Sequence, residues 1–105
     1  MSSSPRVDGQ TIRAVEVNAS GALLTVTLDN GMIVSVPLDW YPRLYESTAE
    51  ERAHWSLIGG GIGIRWDEID EDISIAGLLD GRRSGESEKS LARWRTSRQR
   101  AEAAP

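Results

Sequence analysis

Leu24-Thr25-Val26-Thr27-Leu28-Asp29-Asn30-Gly31-Met32-Ile33-Val34-Ser35-Val36 is the stretch that decides the fold. Leu24, Val26 and Leu28 occupy one side of a period-two pattern against Thr25 and Thr27, and Met32, Val34 and Val36 resume it after a break. Asp29-Asn30-Gly31 supplies that break with residues that tolerate the positive φ of a tight hairpin. Upstream, Val15, Val17 and Ala19 alternate with Ala14, Glu16 and Asn18, and Ser20-Gly21 separates this run from the next. A three-stranded antiparallel meander is therefore expected over residues 11–36.

Pro37 cannot donate to a ladder, so the meander ends there. Trp40-Tyr41-Pro42-Arg43-Leu44-Tyr45 reads as a short helix, with Asp39 as its cap and Pro42 in its opening turn. Thr48 and Glu51 have the spacing of a capping box, which predicts a second helix running on through Trp55. Ser56-Leu57-Ile58 reads as extended, Gly59 to Gly61 permit a bend, and Ile62, Ile64 and Trp66 begin a strand-like alternation. Ser74 to Leu79 forms a last helical turn. Beyond Gly81, residues 82–87 are linker-like. Ser90 to Arg98 then has helical composition with a narrow apolar edge of Leu91 and Trp94, too small to hold a helix alone. The expected organisation is a flexible N-terminus over 1–10, an α+β domain over 11–81 and a basic linker and tail over 82–105. The fold class is α+β: one small domain with a three-stranded meander, short helices, a further short strand and a basic C-terminal helical tail.

At 105 residues the chain is sized for a single core, and 39% hydrophobic with 27% charged residues is a globular composition. No apolar run approaches the roughly 20 residues of a membrane span. The absence of cysteine excludes disulfides, thiolate zinc sites and a cysteine nucleophile. The first eight residues lack the apolar core of a secretory signal, so a cytoplasmic location without a membrane partner is expected. The net charge of −4 is unevenly divided: residues 1–81 carry 13 acidic side chains against 5 arginines, whereas residues 82–105 carry 7 basic side chains against 3 acidic ones. An acidic body and a basic tail point to different tasks.

The glycine cluster before Trp66 invites a phosphate-loop reading, but its spacing fits neither a dinucleotide fingerprint nor a Walker loop, and the acidic run after it repels phosphate. A bulged strand or a close backbone approach is the reading kept for it. Asp67, Glu68, Asp70, Glu71 and Asp72 offer oxygen ligands, yet Ile73 and Leu79 stand where a calcium loop needs glycine and glutamate. They are read as a solvated acidic loop, with Asp70, Glu71 and Asp72 as a surface for a basic partner. His54 is the single histidine and is read as a surface residue. No metal, cofactor or catalytic residue is expected. Trp40, Trp55 and Trp66 are assigned to core packing. Trp94 lies among Arg93, Arg95, Arg98 and Arg100, a set suited to docking on the acidic body or to holding a partner, nucleic acid included.

Pro37-Leu38-x-Trp40-Tyr41-Pro42-Arg43-Leu44, Thr48-x-Glu50-Glu51-Arg52, Leu57-Ile58-Gly59-Gly60-Gly61, Trp66-x-x-Ile69-Asp70-Glu71-Asp72-Ile73-Ser74 and Gly77-Leu78-Leu79 together resemble the bacterial domain-of-unknown-function family 2442. The resemblance runs over about residues 11–98, including Gly85-Glu86-Ser87 and Ser90-Leu91-x-x-Trp94 in the tail. It implies a small α+β domain, no established catalytic residues, and a gene often placed beside that of another small protein, in an arrangement like a toxin–antitoxin pair. Some similar proteins carry a helix-turn-helix domain after this one, for which 105 residues leave no room. The leading expectation is a non-catalytic interaction module, antitoxin-like or regulatory, whose partner is a small protein encoded by an adjacent gene. The alternative is a nucleic-acid-associated regulator acting through the basic tail, and the third reading is an enzyme with a carboxylate-based site.

Overall fold

A computed structural model describes residues 11–103, so the expected N-terminal segment 1–10 lies outside the described residues. The meander forms as strands β1 (Ala14–Ser20), β2 (Leu23–Leu28) and β3 (Ile33–Pro37), in the order β1-β2-β3. Val26 stands opposite Val17 on one side and Val34 on the other. The β2–β3 loop closes with the Leu28 amide donating to the Met32 carbonyl at 2.8 Å, and the Asn30 side chain accepts from the Met32 amide at 3.0 Å. The period-two reading holds for Val17, Leu24, Val26, Leu28 and Val36, all buried. It fails at Val15. Ala14 faces Leu28 and Glu16 faces Thr27, leaving Val15 as an extra residue; this bulge turns it outward at 51% exposure and puts Ala14 in the core.

Where the sequence suggested one further strand, there is a second antiparallel sheet: β4 (Trp55–Ile58), β5 (Gly63–Trp66) and β6 (Glu71–Ser74), in the order β4-β5-β6. Trp55, expected at the end of a helix, instead opens β4 opposite Trp66. The acidic run is solvated as expected at Asp67, Glu68, Asp70 and Asp72, but it is not a loop, and Glu71 is not exposed. A 3-10 turn spans Asp67–Ile69, Asp70 reverses the chain at φ +52°, and β6 follows at once with Glu71 buried. Arg65 makes this tolerable for so many like charges. Its guanidinium donates to Asp67 at 2.9 Å, Asp70 at 2.8 Å and Asp72 at 3.1 Å, so three carboxylates share one cation.

The helices are short except the last. α1 (Pro42–Tyr45) starts at Pro42 as expected, but Asp39 lies inside a preceding 3-10 turn, Leu38–Trp40, and no side chain caps α1. α2 (Ala49–Ala53) has the capping box: Glu51 accepts from the Thr48 amide at 2.8 Å and Thr48 accepts from the Glu51 amide at 3.1 Å. α3 (Ile75–Leu79) begins at Ser74, whose hydroxyl accepts from the Gly77 amide at 3.0 Å. α4 (Glu88–Ala103) is the 16-residue tail helix.

One core serves both sheets. Leu24, Val26, Leu44, Ile64, Trp66, Ile69 and Ile75 are each at most 1% exposed within a single cluster. The Trp66 indole donates to the Arg52 carbonyl at 3.0 Å, satisfying its one polar group. Trp40, Trp55 and Trp94 pack on the cluster from its margins. The sheets meet at the glycine cluster, where the Ala14 amide donates to the Gly61 carbonyl at 2.7 Å and Arg13 donates to the Gly59 carbonyl at 2.7 Å. Gly61 has φ +112°, and a Cβ there would sit 2.5 Å from the Ala14 carbonyl oxygen. This is the close backbone approach that only glycine permits.

Candidate functional site

The apolar edge of α4 is too narrow to fold unaided, and the structure shows what completes it. Leu91 is buried at 5% exposure and Trp94 packs against the core cluster. Arg43 and Arg98 both lie over the Trp94 indole, with guanidinium carbons 5.4 Å and 4.7 Å from the ring centroid. Arg98 donates to both oxygens of Glu51 at 2.9 Å and 3.0 Å, and Arg95 pairs with Glu46, its Nε at 2.8 Å. Each pair holds its carboxyl below the ordinary glutamate range, the hydrogen bond being the larger cause. Ahead of α4, Glu86 takes two bonds from Arg43 Nε at 2.9 Å and one from Ser90 at 2.7 Å. Residues 82–87, read as a linker, are thus fastened to the body; the Tyr41 hydroxyl also donates to the Arg82 carbonyl at 3.1 Å, and the Ser84 amide donates to the Trp40 carbonyl at 3.0 Å.

Docking uses one face of α4 and leaves the other open. Lys89, Arg93 and Arg100 are four and seven residues apart, which places them on one side of a helix, away from Leu91, Trp94 and Arg98. All three are exposed, and none forms an ion pair among the described residues. With Ala92, Thr96 and Ser97 they line a shallow outer surface. Of the expected tail residues, Arg93 therefore remains open, whereas Trp94, Arg95 and Arg98 are engaged with the protein's own body.

The acidic set separates as well. Asp70 and Asp72 are exposed and bonded to Arg65, while Glu71 on the opposite side of β6 is only 9% exposed. Glu71 lines a cleft of about 430 Å³ between β6 and residues 82–86, floored also by Tyr41 and Leu78. Burial, reinforced by the charge of Glu86, pushes its carboxyl up to about 7. Burial and the nearby Glu71 also raise the Tyr41 hydroxyl. His54 pairs with Glu68 at 2.8 Å on the surface, both about half exposed, and the carboxylate raises its pKa. Among the described residues no group of three or more histidine or acidic side chains is arranged to hold a metal ion, and no helix is long and apolar enough to cross a membrane.

Comparison with known proteins places this architecture. The family model described as "Protein of unknown function (DUF2442)" matches residues 14–84, both sheets and the three short helices. The chain belongs to DUF2442. The match ends before α4, so the tail motifs that resemble the family lie outside it. Among solved structures, a protein of unknown function from Rhodospirillum rubrum ATCC 11170 is similar with a TM-score of 0.65 and 24% identity, over 73% of this chain and 95% of that one. An uncharacterized protein from Chromobacterium violaceum, determined by solution NMR, is similar with a TM-score of 0.61 and 25% identity, over 77% of this chain and 74% of that one. A search of the curated proteins returns no match.

The sequence did not single out Lys89, which completes the open face of this DUF2442 chain, or Arg43 and Glu86, which fasten the segment before α4. Lys89 was legible: its spacing from Arg93 is helical. The Arg43–Glu86 pair spans 43 residues and had no local signal.

Proposed function

We propose that this protein is a cytoplasmic, non-catalytic protein-interaction module, antitoxin-like or regulatory in role, that offers the outward face of α4 to an acidic surface on a small partner protein. The observation that carries the reading is the contrast between the two faces of one helix. Arg95 and Arg98 are paired with Glu46 and Glu51, whereas Lys89, Arg93 and Arg100 stand exposed without an ion pair among the described residues. Open cations steer an acidic partner and fix its register. A helix braced on the core holds them at set spacing, so a partner meets a preorganised surface. The sole histidine, bound to Glu68 on the surface, fits the non-catalytic reading.

A protein partner is favoured over nucleic acid by charge. Three open cations release about three counterions from a duplex, a small electrostatic gain, and the chain as a whole is at −4. The test is calorimetric titration with the product of the adjacent gene, using the native protein and the Lys89→Glu, Arg93→Glu, Arg100→Glu triple variant. We expect the variant to keep its melting temperature and to bind at least tenfold more weakly. Equal affinity for both proteins refutes the assignment. Retention of the native protein, and not the variant, on duplex DNA at 0.15 M salt would replace it with the nucleic-acid reading.

A further inference from the structure

We propose that the cleft between the outer edge of β6 and residues 82–86 is a binding site for a cationic nitrogen group, a guanidinium or an alkylammonium, held by the carboxylate of Glu71. The inference is independent of the outward face of α4. Glu71 is 9% exposed and lines the cleft, and its carboxyl forms no hydrogen bond or ion pair among the described residues. A buried carboxyl without a donor is costly, and proteins pair such groups or neutralise them.

Every cation within reach is committed elsewhere. Arg43 gives Nε and Nη2 to Glu86 and Nη1 to the carbonyls of Ile69 at 3.1 Å and Asp70 at 3.3 Å. Arg82 pairs with Asp80 at 3.0 Å, and Arg83 lies over the Trp40 ring at 4.9 Å. The charged groups that line the cleft around Glu71 are Asp70, Asp72 and Glu86 against Arg43, Arg82 and Arg83, with the Tyr41 hydroxyl beside them. Three carboxylates match three cations that are held elsewhere, so ionised Glu71 is the unmatched charge, and the group that answers it is a cation. β6 is the last strand of its sheet, with its outer edge unpaired in the sheet, so the cation can arrive free or on the side chain of a peptide lying along that edge.

Burial sets the Glu71 pKa at about 7, so the carboxyl is mostly protonated at pH 6 and about half ionised at neutrality. An arriving cation favours the ionised form and expels the proton. Affinity therefore rises with pH. The ionised fraction of the free protein grows about tenfold between pH 6 and pH 8, and binding tightens by the same factor.

The experiment follows the Glu71 side-chain carboxyl carbon by NMR in the full-length protein, titrated with methylguanidinium in one arm and with the peptide Gly-Arg-Gly in the other. Both arms are run at pH 6 and pH 8. The expected result is a fall in the Glu71 pKa by at least one unit on binding, about tenfold tighter binding at pH 8, and loss of binding in Glu71→Gln. Saturation by methylguanidinium assigns the site to small cations; response to the peptide alone assigns it to a protein side chain. No displacement of the Glu71 resonance in either arm overturns the proposal. So does binding that weakens as pH rises, or that survives unchanged in Glu71→Gln. The titration of the native protein decides the matter without the variant.

Discussion

Replacing Glu71 with glutamine should stabilise the protein at pH 8 and do almost nothing at pH 4. The side chain is buried and its carboxyl titrates at about 7, against an ordinary value of 4.5. The sign follows from which state ionises first. As pH rises through 4.5 the unfolded chain loses the Glu71 proton while the folded chain keeps it, so native stability falls until the folded carboxyl ionises near 7, and then levels off. Fully realised, that difference is worth about 3 kcal/mol. The cleft is open to water, and discounting for the resulting screening leaves about 1–2 kcal/mol. Glutamine keeps the shape and cannot ionise, so the variant escapes this loss. Urea unfolding followed by tryptophan fluorescence, with Trp66 in the core as reporter, measures the difference at pH 4, 6 and 8. A variant less stable than the native protein at pH 8, or a difference that does not vary with pH, would refute the reasoning.

Gly61→Ala should destabilise by about 3 kcal/mol or more, because the new Cβ meets the Ala14 carbonyl oxygen at 2.5 Å and φ is +112°. A melting temperature within a degree or two of the native value would contradict the account of the seam between the sheets. The faces of α4 should differ in the same assay. Arg98→Ala loses the Glu51 bonds and the Trp94 stack and should cost about 1 kcal/mol, whereas Arg93→Ala should change stability by less than about 0.5 kcal/mol. Equal costs would erase the distinction between docked and open arginines.

What the sequence disclosed and what it hid divide along the range of the interaction involved. The meander, the Thr48 capping box and the turn at Ser74 depend on neighbours within a few residues, and each formed as expected. Val15 broke the alternation because a bulge depends on the partner strand, which the pattern along one strand does not contain. The acidic run looked like a loop because five carboxylates in six residues repel one another. Arg65, held opposite Asp72 by strand pairing, gathers three aspartates, and β6 forms through the run. Glu71 was grouped with Asp70 and Asp72, but strand alternation sends it to the other face. The basic tail was legible as a helix that needs support. Its support, from Arg43, Glu46 and Glu51, comes from residues more than 40 positions away.

α4 is braced on the body by one face so that it can present the other, and amide hydrogen exchange of the full-length protein tests that most directly. An isolated helix of this composition exchanges almost as fast as unstructured chain. The account predicts that the amides of Trp94 to Arg98 are protected about 100-fold or more, and that Trp94→Ala removes that protection while β2 stays protected. Exchange of these amides at unstructured rates in the native protein would contradict it.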